Sequence, residues 1–293
     1  MDFNFYIVDV FTKQSCEGNP LAVVVGKKFP STKIMQKLAS EMNFSETVFI
    51  NSEFDSDQAY PIRIFTPSRE IEFTGHPLIG AAWVIFKLFA KNKKKLLLNT
   101  MIGNILIERS SNNTSLIWFL APKIELERKK YFLEDIPSLK NLKKDVELKL
   151  PIQIASAGTS ALIIPIKGLN SLQTIKLDSN IFLDFDKLNL PKLIYFFCFE
   201  THKNDNDICA RFFFDADGLR EDIATGNGAA FLAKYLLVNS IFQYPNSSLT
   251  VEQGFNLKRP SKIFIKVNVK ENEEEIFVGG NVVPTIENGK LVI

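Results

Sequence analysis

Two segments of this chain are apolar on every side of a helix, and each is entered through a Thr-Gly pair. The first is Thr74-Gly75-His76-Pro77-Leu78-Ile79-Gly80, running on through Ala81-Ala82-Trp83-Val84-Ile85-Phe86. The second is Thr225-Gly226-Asn227-Gly228, running on from Ala229 to Val238. A helix with no polar face belongs inside a domain. Neither run reaches the ~20 apolar residues that cross a bilayer. Gly75 and Gly226 lie 226 − 75 = 151 positions apart, about half of the 293 residues. Repetition at half the chain length predicts two similar domains, each around one buried helix. An acid precedes each copy, Glu72 the first and Asp222 the second.

The mouths of these helices are where chemistry is expected. Pro77 suits a first helical turn, where a missing N–H costs nothing, which places the helix starts near Pro77 and Gly228. Unpaired N–H groups and the helix dipole favour an anion there. His76, one of only two histidines, is placed to act as a general acid, to polarise a carbonyl, or simply to cap the backbone. Asp222 is placed either for catalysis or to satisfy helix N–H groups. Glu46 lies between Ser45 and Thr47 at the start of a strand, with Phe44, Val48 and Phe49 as apolar neighbours. His202 falls in the polar turn Lys203-Asn204-Asp205-Asn206-Asp207 and reads as a hairpin residue.

Composition narrows the partners. A hydrophobic content of 46% and a net charge of +2 describe a globular protein, and argue against a nucleic-acid coat or a membrane-surface protein. The basic run Lys91 to Lys95 follows the first helix, where positive charge complements the dipole. Three cysteines, none in a C-x-x-C, do not make a secreted disulfide framework. Met1-Asp2-Phe3-Asn4 lacks the basic start of a signal peptide. A cytoplasmic location is expected. No G-x-G-x-x-G, G-x-x-x-x-G-K-[ST] or H-E-x-x-H occurs, and no Cys/His cluster has metal-ligand spacing. The expectation is a site with no cofactor and no metal.

Along the chain, strands are expected at Phe3–Phe11, Leu21–Val25, Val48–Ile50 and Tyr60–Phe65, then around 96–98, 102–107 and 116–120. A helix capped by Ser31 or Thr32 would carry Ile34, Leu38 and Met42. Residues 123–149 mix charges of both signs without a clean period and read as the domain junction. Strands resume at 152–155, 161–165, 193–199, 208–214, 249–253 and 263–269. A turn at Glu271–Glu275 follows, with Ile276-Phe277-Val278 pairing back before Gly279-Gly280. Short strands at Val282-Val283 and Leu291–Ile293 close the chain. The fold class is α+β: mixed, mostly antiparallel sheets rolled around buried central helices. The expected domains are 1–122, which the strand 281–293 can rejoin, and 123–280.

The chain resembles the PhzF-like family of phenazine biosynthesis, relatives of diaminopimelate epimerase. The matching pieces are Asp9-Val10-Phe11-Thr12, Gly18-Asn19-Pro20-Leu21-Ala22-Val23, Ser45-Glu46-Thr47, Arg63-Ile64-Phe65-Thr66-Pro67, Glu70 and Gly75-His76-Pro77 with Gly80. In the second half they are Arg211-Phe212-Phe213, Glu221-Asp222-Ile223-Ala224-Thr225-Gly226, Gln253-Gly254, Arg259-Pro260-Ser261 and Gly279-Gly280. The resemblance implies two pseudo-symmetric domains of the diaminopimelate epimerase-like fold with the active site in the cleft, no cofactor, and a homodimer. It implies Glu46, His76 and Asp222 as catalytic residues. It also implies that Ser45, Gly75, Pro77, Thr225, Gly226, Asn227 and Gly228 line the substrate side. In the family's phenazine isomerase, the glutamate shuttles a proton between carbons of dihydro-hydroxyanthranilate, while the histidine and aspartate hold and polarise it.

Two departures stand out. Asn227, then Gly228, occupy the place where the family commonly has serine. Thr74 and Thr225 stand where related epimerases and proline racemases carry a pair of cysteines. A threonine hydroxyl is too weakly acidic for that two-base role. The leading expectation is therefore an isomerase moving a proton on a small carboxylate substrate. The alternatives are a non-catalytic metabolite-binding protein and a cysteine-independent epimerase or racemase.

Overall fold

The computed structural model describes residues 2–53, 59–178, 180–216, 218–242, 248–270 and 273–292. The chain opens with β1 (Asp2–Val10), β2 (Asn19–Gly26), α1 (Thr32–Met42), β3 (Thr47–Asn51), β4 (Tyr60–Phe65), β5 (Glu70–Ile71) and α2 (Gly75–Leu88). It continues with β6 (Lys95–Thr100), β7 (Gly103–Arg109), β8 (Leu116–Leu120), β9 (Glu125–Leu126), β10 (Gln153–Ala157) and β11 (Thr159–Pro165). Then come α3 (Leu169–Thr174), α4 (Ile181–Leu188), β12 (Leu193–Cys198), β13 (Ile208–Asp215), β14 (Leu219–Asp222) and α5 (Gly226–Val238). Strands β15 (Ser248–Gln253), β16 (Ser261–Lys270) and β17 (Glu273–Val292) complete it. Two compact units result: Met1–Leu120 with Val278–Ile293, and Ala121–Phe277.

In the first unit a mixed sheet closes on itself. Strand β1 runs antiparallel to β2, β2 parallel to β3, β3 antiparallel to β4, and β4 parallel to β6. Antiparallel β7 and β8 follow, and β17 pairs with both β8 and β1. Helix α2 packs against β1, β2, β3 and β8, and eleven of its fourteen residues are buried. Residues Leu21–Val25 are all buried because both faces of β2 are covered. One face meets α2; on the other, Val24 joins Phe3, Phe49, Phe65 and the α1 residues Met35 and Ala39 in a small core. A strand covered on both faces reads as a continuous apolar run.

Helix α1 departs from its expected face. Ser31 does cap it, accepting from the Ile34 amide. The buried stripe centres on Met35 and Ala39, with Ile34, Leu38 and Met42 half-buried beside it. Residues three and four apart lie on neighbouring lines of one helix face, so sheet contact, not spacing, selects the central line.

The end of the chain is also different from expectation. Gly279-Gly280 do not interrupt pairing, and β17 is one strand from Glu273 to Val292. A Cβ at Gly279 would sit 2.5 Å from the Trp118 ring, and one at Gly280 would sit 2.3 Å from the Phe11 ring. These glycines admit aromatic rings onto the strand instead of ending it. Residues 271–272 of the expected turn, and Ile293, lie outside the described residues.

The second unit pairs β9 with β10, β10 with β11, β12 with β13 and β15 with β16 antiparallel, and β11 with β12 and β13 with β15 parallel. Helix α5 packs against β9, β10, β11 and β16, and ten of its thirteen residues are buried. The segment expected to be a junction belongs to this unit's core. Leu133, Ile136, Leu139 and Leu142 are buried with Ile154, Leu162, Phe196 and Phe213. Their spacing of three is the repeat of the 3-10 helix, which forms at Leu133–Asp135 and Pro137–Leu142 and leaves no 3.6-residue signal. Helices α3 and α4, absent from the expectation, are too short for a clear period.

The two units repeat one order of connections. Each has an antiparallel pair, a helical crossover to a parallel strand, a hairpin, a short strand, a buried helix, and a second parallel return. The register Tyr60↔Leu98 in one corresponds to Ile208↔Val251 in the other. Arg63 bonds Glu70 through Nε and Nη2 at 2.7 and 2.6 Å, and Arg211 bonds Glu221 in the same way at 2.8 Å for both.

Candidate active site

Helix α2 begins at Gly75, two residues before the expected start, so Gly75, His76 and Pro77 form its first turn. Pro77 still falls among the positions whose N–H has no partner within the helix. Thr74 precedes them in extended backbone and makes no side-chain cap. The mouth of α2 thus keeps donors for another group. Parallel pairing of Ala22 with Thr47 brings the entry of β3 beside the entry of β2. Glu46 immediately precedes β3 and Asn19 opens β2. Both meet His76. The Asn19 side-chain amide lies 3.5 Å from Nδ1 of His76, and Nε2 of His76 lies 3.2 Å from Oε2 of Glu46.

Burial sets the charge of this pair. His76 is 2% exposed and Glu46 14%. Burial pushes the imidazole down to about 3, because a charge deep in the protein loses its hydration. His76 is therefore neutral at ordinary pH, and its 3.2 Å approach to Glu46 is a close contact of an uncharged ring, not an ion pair. An amide N–H from Asn19 onto Nδ1 leaves the ring proton on Nε2, the nitrogen on the Glu46 side. Ser45 is half-buried beside Glu46, and Gly75 and Pro77 are buried.

Helix α5 begins at Gly226, also two residues early, so Gly226, Asn227 and Gly228 occupy its first turn. Thr225 does not cap it; its hydroxyl donates instead to Oδ2 of Asp222 at 2.5 Å. Asp222 closes β14, opposite Phe212 of β13. The position matching Asp222 in the first unit is Ile71, opposite Ile64, and the acid paired with Glu72 in the sequence reading is therefore offset by one; Glu72 is exposed. The amide oxygen of Asn227 is buried and accepts no hydrogen bond among the described residues.

Three contributors escaped the sequence reading of the site. Gln253 ends β15 and is 1% exposed. Its Oε1 accepts from the Thr225 amide at 3.2 Å, and its Nε2 donates to the Asp222 carbonyl at 3.0 Å and the Thr225 hydroxyl at 3.2 Å. Asn19 is fully buried. Tyr195 is fully buried with a phenol that bonds nothing among the described residues; burial pushes it up. For Asn19 and Gln253 the available signal was a polar residue at the first or last position of a strand; Tyr195, third in β12, carried none.

His202 does sit in the β12–β13 turn, and it has a partner the sequence did not reveal. Glu252, fully buried, accepts from the His202 amide, from His202 Nδ1 at 2.6 Å and from Asn206 Nδ2 at 2.7 Å. The imidazole stacks on Phe255 at 3.8 Å. Cys209 Sγ is 3.8 Å from Nδ1, but burial pushes its thiol up. Histidine, cysteine and glutamate are metal-ligand types. Here the carboxylate already receives the turn's donors, and the group clamps a hairpin.

The sequence and fold both match known proteins. A family model described as phenazine biosynthesis-like protein matches residues 8–288. An uncharacterized isomerase of Clostridium acetobutylicum is 30% identical, over 96% of this chain and 95% of its own. The trans-2,3-dihydro-3-hydroxyanthranilate isomerase of Pseudomonas chlororaphis is 28% identical, over 99% of each. The crystal structure of a PhzF-family phenazine biosynthesis protein from Bacillus anthracis superposes with a TM-score of 0.85 at 23% identity, covering all of both chains. A closed mixed sheet with few helices, the motifs spread from Asp9 to Gly280, and these full-length matches lead to one conclusion: the chain belongs to the phenazine biosynthesis-like family and is an isomerase of the PhzF type.

Proposed function

We propose that this isomerase moves a proton between carbons of a small carboxylate substrate resembling trans-2,3-dihydro-3-hydroxyanthranilate, with Glu46 as proton carrier. The observation that carries the reading is the Glu46–His76 contact of 3.2 Å at an uncapped helix mouth. A carboxylate beside a neutral imidazole can take a carbon-bound proton and return it elsewhere, while the imidazole N–H steadies the carboxylate or a substrate oxygen. The first turns of α2 and α5, at Gly75–Pro77 and Gly226–Gly228, are each suited to an anion such as a carboxylate. Asp222 polarises the substrate from the mouth of α5, with Thr225 and Asn227 beside it, and Ser45 adjoins Glu46. All of these parts are side chains and backbone, so the reading needs no cofactor or metal.

The architecture that goes with it is a pair of pseudo-symmetric domains, each a sheet rolled around a central helix. The repeated strand order and the matched Arg63–Glu70 and Arg211–Glu221 pairs support it. We also take the protein to be a cytoplasmic homodimer acting on a small molecule, with no nucleic-acid or membrane partner. Its three free cysteines suit a reducing compartment. No helix among the described residues is long and apolar enough to cross a membrane.

The test is solvent-deuterium incorporation. The purified chain is incubated in heavy water with trans-2,3-dihydro-3-hydroxyanthranilate and with a panel of unsaturated carboxylic acids, followed by NMR. Deuterium entering a substrate carbon supports the isomerase assignment of Glu46. Tight binding of a panel member without exchange in any would favour a non-catalytic binding protein. Inversion at a saturated α-carbon would favour an epimerase, a reading weakened by Thr225, whose hydroxyl is committed to Asp222.

A further inference from the structure

We infer that Gln253 and Thr225 form a two-residue relay that positions the carboxylate of Asp222. The inference rests on the role given to Asp222 above and goes beyond it. The chemistry of the relay follows from what each group can donate. The Thr225 hydroxyl has one proton, and it goes to Asp222 Oδ2 at 2.5 Å. Its lone pairs are then left to accept, and Gln253 Nε2 supplies a donor at 3.2 Å. An amide N–H cannot accept, so it fixes the direction in which the hydroxyl proton points. The same Gln253 amide holds the backbone at both ends of the turn that follows the acid. It donates to the Asp222 carbonyl at 3.0 Å and accepts from the Thr225 N–H at 3.2 Å. Three bonds from one side chain, itself 1% exposed, clamp the four-residue turn from Asp222 to Thr225.

The first unit supplies the control. It has the same strand order and the same helix mouth, and the register maps Gln253 onto Thr100, Thr225 onto Thr74 and Asp222 onto Ile71. Thr100 turns its hydroxyl to the Gly103 carbonyl at 2.9 Å, in its own hairpin. Thr74 makes no cap. A sheet of this kind therefore seats its helix without any such relay. The relay is present in the copy that has an acid at the register position of Asp222, where the first copy has Ile71. Its purpose is the orientation of that acid. Thr225 also cannot serve as a base while its proton is held by Asp222 and its lone pair by Gln253.

The experiment compares Thr225→Val, which keeps shape and removes the hydroxyl, with Thr225→Ser, which keeps it, and with Gln253→Leu and the Thr225→Val/Gln253→Leu double variant. Asp222→Ala serves as reference. Deuterium exchange into trans-2,3-dihydro-3-hydroxyanthranilate gives kcat and KM, melting temperature reports folding, and crystal structures locate Asp222. Thr225→Val is expected to lower kcat about 10- to 100-fold, as misplacement of a working group does. KM should change far less, and the Asp222 carboxylate should leave its position. Thr225→Ser, which keeps the donor, should lose far less kcat than Thr225→Val and should leave the Asp222 carboxylate in place. The double variant should lose no more than the worse single, because both break one chain of contacts. An Asp222 carboxylate that stays in place in Thr225→Val would overturn the inference, as would a Thr225→Ser variant as impaired as Thr225→Val. If Asp222→Ala retains full turnover, the catalytic reading of Asp222 fails instead. The crystal positions of Asp222 decide the relay whether or not this probe is turned over.

Discussion

Nε2 of His76 stands 3.2 Å from Oε2 of Glu46, and the imidazole is neutral because burial holds it near 3. A neutral ring sits against the Glu46 side chain without adding a charge of its own. In the proposed reaction Glu46 is a base beside an uncharged ring, not half of an ion pair locked by attraction.

Glu46→Gln should fold and bind like wild type and lose turnover. The amide has nearly the same shape and cannot carry a proton. The expected loss is about 10²- to 10⁴-fold, the usual worth of a positioned acid–base group. Deuterium incorporation measures it. Equal exchange in the variant and wild type would remove Glu46 from the role of base.

The buried neutral His76 makes stability depend on pH. The unfolded chain protonates this residue below the ordinary histidine value of 6.5, and the folded chain only near 3. Unfolding therefore takes up a proton throughout that window, and stability falls as pH falls. The slope from this one group approaches about 1.4 kcal/mol per pH unit. Urea midpoints from pH 4 to 7 should show a shallower dependence for His76→Gln, by about one proton. Parallel curves would mean that His76 titrates alike in both states.

Gly228→Ala should be costly although alanine favours helices. A Cβ there would lie 2.5 Å from the ring of Tyr195, which is fully buried and cannot swing away. Overpacking of this kind costs about 1–3 kcal/mol. Gly103→Ala is a useful contrast: nothing lies near its Cβ, and the cost there comes from its φ of 108° alone. Thermal melts read both. Crystals of Gly228→Ala should show the first turn of α5 displaced.

Arg211→Leu should destabilise more than Arg63→Leu. Both arginines grip a glutamate with two bonds. The Arg211 and Glu221 side chains are 9% and 12% exposed, those of Arg63 and Glu70 27% and 21%. Arg211 Nη1 also donates to the carbonyls of Leu172, Gln173 and Ile175 at 3.0, 3.3 and 2.9 Å, closing the end of α3. Removing one partner of a buried pair costs about 3–5 kcal/mol, against about 1 kcal/mol or less for a more exposed pair. Denaturant unfolding of the two variants makes the comparison.

The sequence by itself determined the elements whose signal is local. Thr74-Gly75 and Thr225-Gly226 marked both helix mouths, because an all-apolar helix after a glycine turn has few other places to go. The apolar run Leu21–Val25 marked a strand covered on both faces. The motifs around Glu46, His76 and Asp222 pointed to the family and its chemistry. What remained hidden depended on partners distant in the chain. Leu133, Ile136, Leu139 and Leu142 looked like a linker because a 3-10 repeat leaves no helical period. Gly279-Gly280 looked like a break because the rings of Trp118 and Phe11 that fill their space come from other strands. The Asn19, Glu46 and His76 grouping depends on a parallel register between β2 and β3. The grip of Gln253 on Asp222 and Thr225 spans 31 and 28 positions. Periodicity records which face of an element is buried. It carries no record of which side chain lies opposite, and hydrogen bonds across strands are decided only when the sheet closes.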